Sequence, residues 1–94
     1  MKTGILLVEL YLSQSGSLKE KRFIIQKIKD KLRDKFNISI AEVDFQDKWQ
    51  RSVIGVSCIS NEEKIINSTF DKIINFFKMS KDGYEVIRKQ IEII

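Results

Sequence analysis

Apolar and polar positions alternate with period two from residue 4 to residue 12. Leu6, Val8, Leu10 and Leu12 share one face; Ile5, Leu7, Glu9 and Tyr11 share the other. Such alternation predicts a strand. A polar connector, Ser13-Gln14-Ser15-Gly16, ends it, and the period then changes. Ser17 and Glu20 form an S-x-x-E capping box, in which each side chain satisfies an orphan amide of a helix start. Leu18, Ile25, Ile28, Leu32 and Phe36 recur at helical spacing with Ile24 beside them, so one stripe of this helix faces a core. Apolar runs over roughly residues 37–45 and 51–60 predict two further strands. A second capping box, Ser60 to Glu63, opens a second helix with the stripe Ile66, Phe70, Ile73, Ile74 and Phe77, widened by Ile65 and Phe76. Lys81-Asp82-Gly83 is a turn signal, and residues 84–94 read as a last strand through Ile87, Ile91 and Ile93. Lys89 falls on that same face, a charge placement that blunts an edge strand.

The order is therefore strand, helix, strand, strand, helix, strand. Two right-handed strand–helix–strand halves interleave as one four-stranded antiparallel sheet with both helices on one face. This is an α+β, ferredoxin-like βαββαβ plait, one domain over residues 1–94. If the Leu6–Leu12 face meets the helices, the other face should be polar. Instead Ile5, Leu7, Tyr11, Ile38 and Ile40 are expected there, and both faces of the Val53–Ile59 strand are apolar. An apolar open sheet face marks an interface, and the simplest expectation is a two-fold homodimer.

Composition narrows the class. Hydrophobic residues make up 43% and charged residues 32% of the 94, which excludes disorder. No apolar run approaches a membrane span, and no secretory apolar segment with a cleavage site follows Met1, so a cytoplasmic protein without membrane partners is expected. The single Cys58 lies in an apolar run and reads as a small core residue. There is no His, no zinc-ligand cluster, no Walker motif and no Ser-His-Asp set. Neither a cofactor, a metal nor a catalytic residue is expected.

The net charge of +4 is unevenly placed. Ser17 to Phe36 holds eight Lys or Arg against Glu20, Asp30 and Asp34, a local +5, while the rest of the chain sums to −1. On a helical projection Arg22, Gln26, Lys29 and Arg33 form a stripe beside the apolar face, and Lys27, Lys31 and Lys35 flank its other edge. Phe23 points away from the core. Lys19, Lys21, Arg22, Lys29 and Arg33 are thus candidate contacts for nucleic-acid phosphates or another anion, with Phe23 as a stacking platform. A solvated amphipathic helix accounts for the same charges without a ligand.

Two other segments carry chemistry. Ser13–Arg22 leads into a helix N-terminus, where free amides and the dipole favour an anion; this suggests a small-anion, regulatory or acyl-phosphate-hydrolysing alternative. The connector 41–51 holds the only Trp, three carboxylates and two cations, far more than a turn requires. Glu42, Asp44, Gln46, Asp47, Trp49, Gln50 and Arg51 are its loop or interface candidates, with the carboxylates expected to pair with Lys48 and Arg51. RNA recognition by aromatic residues on the central strands is excluded, because Ser52–Ile59 contains no aromatic residue.

Two runs, Ser17-Leu18-Lys19-Glu20-Lys21-Arg22, and Ala41-Glu42-Val43-Asp44 with Gln46-Asp47 and Trp49-Gln50-Arg51, resemble the signatures of the YlxP-like family of small bacterial proteins. The resemblance spans essentially the whole chain; Phe23 and Phe45 depart from it, standing where polar or basic residues are common. It implies a ferredoxin-like fold, a dimeric tendency and a link to translation, and it assigns no activity or catalytic residues. The resulting expectation is a non-enzymatic module that binds structured RNA or a ribosomal particle through helix one and the 41–51 loop. A dimeric module for an acidic protein partner is the other alternative.

Overall fold

The computed structural model describes all residues, 1–94. The elements are β1 (Lys2–Tyr11), α1 (Leu18–Lys35), β2 (Ser39–Asp44), β3 (Arg51–Ser60), α2 (Glu63–Met79) and β4 (Glu85–Ile93). All strand pairs are antiparallel, in the order β2-β3-β1-β4. This is the ferredoxin-like plait. Leu6, Val8 and Leu10 of β1 and Ile54, Val56 and Cys58 of β3 face the helices and are buried against Ile25, Ile28 and Leu32 of α1 and Ile66, Phe70, Ile73, Ile74 and Phe77 of α2.

Gly4 sets the seat of α2. A Cβ there would overlap Ile66 Cγ2 and lie 2.8 Å from Phe70 Cε2, so the missing side chain is what lets the helix approach the sheet. Of the first capping box, the Ser17 half forms, with Glu20 N–H donating to the Ser17 hydroxyl at 3.1 Å; the Glu20 carboxylate reaches one residue further back and accepts from Gly16 N–H at 2.7 Å. The second box does not form. Helix α2 starts from Glu62 without a side-chain cap, because the Ser60 hydroxyl is still at the strand end and accepts from Glu62 N–H. Ile65 is exposed and adds nothing to the stripe.

Two irregularities shift side chains between faces. Between Glu9 and Leu10 the β1–β4 register slips, which leaves Ile87 unpaired and exposed and turns Val86 inward opposite Leu10. Lys89 does lie on the helix side, opposite Val8, as expected of an edge-strand charge. In β2, Ile40 lies opposite Val56 on the helix face and is buried, and Ile38 packs at the core margin. Neither belongs to the open face. That face consists of half-buried Ile5, Leu7, Tyr11 and Val53, with Val43 and Ile59 more exposed. Val43 faces it by simple alternation from Ile40 and Glu42 and covers Gly55, where a Cβ would stand 2.9 Å from Val43 Cγ1; the slip between Glu42 and Asp44 instead sets Asp44 opposite Val53.

Candidate binding surface on α1 and the 41–51 hairpin

Lys21 falls on the apolar stripe of α1, between Leu18 and Ile25, and its side chain is completely buried. An ammonium has three donors, and here each finds an acceptor: Phe45 O at 2.6 Å, Arg51 O at 3.2 Å and Glu42 Oε2 at 2.9 Å. The same Glu42 oxygen accepts from the buried Ser52 hydroxyl at 2.7 Å. Burying a charge is tolerable only when pairing and hydrogen bonds replace its hydration. These contacts meet that condition. Lys21 is therefore not a surface contact for phosphates: its charge is spent on fastening the hairpin to the helix.

The hairpin is held at both ends. Gln50 Nε2 donates to Ser13 O and Ser15 O at 3.1 and 3.4 Å, and Gln50 O accepts from Leu12 N–H at 2.8 Å. At the turn, Lys48 N–H donates to Phe45 O at 3.0 Å, and Phe45 has φ 59°. A left-handed conformation at a bulky residue costs roughly 1–3 kcal/mol and persists only where its surroundings enforce it. Here they do. Phe45 O accepts from Lys21, Phe45 N–H donates to Asp44 Oδ1 at 2.8 Å, and the Arg51 guanidinium lies 5.1 Å from the Phe45 ring centre. Arg51 also pairs with Glu9 on β1. The carboxylates are thus not balanced by Lys48 and Arg51 within the loop: Glu42 pairs with Lys21, Asp44 bonds its own following amide, and Asp47 has no ion pair.

The sequence candidates divide accordingly. Lys21, Glu42, Asp44, Gln50 and Arg51 build the hairpin and its junction with α1. Gln46, Asp47, Lys48 and Trp49 project from it, Trp49 being 55% exposed. On α1, Lys19 and Arg22 are exposed and Lys29 half-buried, and none of the three enters an ion pair. Arg33 donates to Ile40 O at 3.2 Å and lies 3.9 Å from Asp30, which leaves most of its guanidinium donors unused. Phe23 is 73% exposed.

The helix-start alternative fares less well. The capping carboxylate of Glu20 already occupies the Gly16 amide, and Glu20 and Asp82 both line the neighbouring cleft of about 450 Å³ beside Lys19, Phe23 and Gly83. Two carboxylates stand where an anion would dock. No group of three or more His, Cys, Asp or Glu side chains converges to hold a metal, and no helix is long and apolar enough to cross a membrane.

These features define a small ferredoxin-like domain whose first helix and central hairpin are locked together by a buried lysine. The chain belongs to the DUF503 family, described as proteins of unknown function, whose model matches residues 3–91. It is 33% identical to the "Uncharacterized protein YlxP" of Bacillus subtilis (strain 168) over 83 residues, 88% of this chain and 86% of that one.

Proposed function

We propose that the protein is a non-enzymatic, cytoplasmic binding module for structured RNA, free or within a ribosomal particle, gripped by the Lys19–Arg33 side of α1 and the 41–51 hairpin. The observation that carries this reading is the buried Lys21 junction. It holds a strained turn in one conformation and so pre-orders Lys48 and Trp49 beside a helix bearing unpaired cations. Pre-ordering removes an entropic cost from binding. Lys19, Arg22, Lys29 and Arg33 supply phosphate contacts, and Trp49 stacks on an unpaired base.

On this reading, the protein co-sediments with a ribosomal subunit or RNA from its own lysate at low salt and is released at high salt. Arg22→Glu with Arg33→Glu lowers the magnitude of the slope of log affinity against log salt by about two, and Trp49→Ala weakens binding by about 1–3 kcal/mol. Binding unchanged by these substitutions rejects the surface. Association with an acidic protein that survives nuclease treatment points to the protein-partner alternative.

We further propose that the open sheet face pairs two copies. Ile5, Leu7, Tyr11 and Val53 form one apolar field with no covering layer, and covering such a face stabilises by roughly 25 cal/mol per Å² of apolar surface. Sedimentation equilibrium is expected to give twice the 11.0 kDa chain mass. Leu7→Glu should return the monomer with unchanged circular dichroism. A wild-type chain of monomer mass at micromolar concentration rejects the pairing.

A further inference from the structure

The +5 excess of α1 does not act alone. The helices run antiparallel, and their outer crevice is a groove of about 620 Å³ lined by Lys31 and Lys35 from α1, Lys72 and Asn75 from α2, and Ser80 and Lys81 beyond it. Phe36 and Phe76 contribute apolar wall, with the Lys35 ammonium 5.8 Å from the Phe76 ring centre. The four ion pairs of the molecule engage Lys21, Lys27, Arg33 and Arg51, so none of Lys31, Lys35, Lys72 and Lys81 makes a direct ion pair. The one carboxylate in the groove, Asp82, is taken by Lys27 at 3.1 Å and the Ser80 hydroxyl at 3.3 Å. Its hydrogen bond from Lys27, with the nearby charge of Lys31, holds it below the ordinary carboxylate range, so it offsets part of the groove's positive charge and leaves the rest.

Four lysines against one carboxylate leave the groove with an excess of positive charge that favours an anion. Helix dipoles do not remove it. Their influence is confined to the last turn, and of the four only Lys35 lies in one. Amide and hydroxyl groups of Asn75 and Ser80 add neutral donors of the kind that complete a phosphate site.

We propose that the groove between α1 and α2 is a second phosphate-binding site that takes a run of backbone phosphates of the bound RNA. Its identification with RNA rests on the function proposed above; its affinity for phosphate does not. The groove uses the Lys27–Lys35 edge of α1, whereas the hairpin surface uses the Arg22–Arg33 edge, so the two sites lie on opposite sides of one helix and can be altered separately.

The test compares three full-length proteins: wild type, a groove variant (Lys31→Gln, Lys35→Gln, Lys72→Gln, Lys81→Gln) and a charge-matched control (Lys2→Gln, Lys64→Gln, Lys78→Gln, Lys89→Gln). Each is titrated with a labelled RNA hairpin across a salt series, and each is melted with and without inorganic tripolyphosphate. The groove variant is expected to lose about three from the magnitude of the salt slope, with a far smaller change in the control. Tripolyphosphate is expected to raise the melting temperature of wild type and control but not of the groove variant. The four lysines are exposed and none makes a direct ion pair, so the variant should keep its fold, and its melt without the anion separates loss of binding from loss of fold. Equal slopes in the groove and control variants overturn the RNA-backbone proposal. If wild type binds no RNA, the function proposed above fails. Selective stabilisation by tripolyphosphate then still upholds a phosphate groove, and its absence overturns that as well.

Discussion

Replacing Lys21 by alanine is expected to cost the fold about 3–5 kcal/mol, the range for breaking a buried ion pair from one side. A domain of this length has roughly 5–14 kcal/mol in total, so the variant should sit near the edge of folding at ambient temperature. The cost has three sources. The Glu42 carboxylate stays largely buried without its cation, the Phe45 and Arg51 carbonyls lose a charged donor, and the left-handed Phe45 loses the contact that enforces it. Urea unfolding followed by circular dichroism measures the total. Trp49, the only tryptophan, reports the hairpin directly: its fluorescence anisotropy should fall in the variant under native conditions. Lys21→Met with Glu42→Leu should recover only the part due to the unpaired charge, since an apolar pair removes that charge but leaves the Ser52 hydroxyl without its acceptor. It should not recover the hairpin, because methionine cannot donate to the two carbonyls. A Lys21→Ala cost below about 1 kcal/mol would show that the junction is not what holds the loop.

Sequence pattern was sufficient wherever a periodicity is carried within one element. The β1 alternation, the cores of the two helical stripes and the Ser17 cap appear as read, though Ile65 falls outside its stripe. It failed where the answer depends on a partner strand. Ile40 looked like an open-face residue because its inward phase is fixed by pairing with Val56, which nothing within β2 encodes. The slips at Glu9/Leu10 and Glu42/Asp44 likewise turn Val86 inward and set Asp44 opposite Val53 without a local signal.

Lys21 is the instructive case. Charge alone placed it among the surface cations, yet Leu18, Lys21, Ile25, Ile28 and Leu32 follow an unbroken three–four spacing. A lysine in that series belongs to the buried stripe, and an acid must be sought elsewhere to receive it. Glu42, in phase with Ile40 on the inward face, is that acid. The two short runs that carry the resemblance to the family are therefore the two halves of one junction. What sequence could not supply was their contact, separated by twenty residues and more. The lysine groove escaped for the same reason: Lys72 and Lys81 join Lys31 and Lys35 only once α2 packs beside α1.

The placement of α2, and with it one wall of that groove, rests on Gly4. Gly4→Ala is expected to destabilise by about 1–3 kcal/mol, the range for overpacking a filled core. The loss is net of the roughly 0.4–1 kcal/mol that a Cβ would contribute by restricting the unfolded chain. The obstructing atoms are not flexible tips. Ile66 Cγ2 is fixed by its β-branch, and the Phe70 ring edge is buried on all sides, so the helix rather than a side chain must move. Ile66→Ala alone is expected to cost about 2–5 kcal/mol by leaving a cavity at that point. The two changes are complementary, since the new methyl fills space the isoleucine vacates. Their double variant should lose less than the sum of the singles, by about 1 kcal/mol or more, when urea unfolding is measured for all four proteins. Strict additivity would mean that the helix does not bear on Gly4. The Gly4→Ala protein carries a second consequence for the groove: a helix lifted from the sheet moves Lys72 relative to Lys31 and Lys35. Tripolyphosphate stabilisation should weaken in that variant although no groove residue has changed, and return in the double variant as α2 settles back.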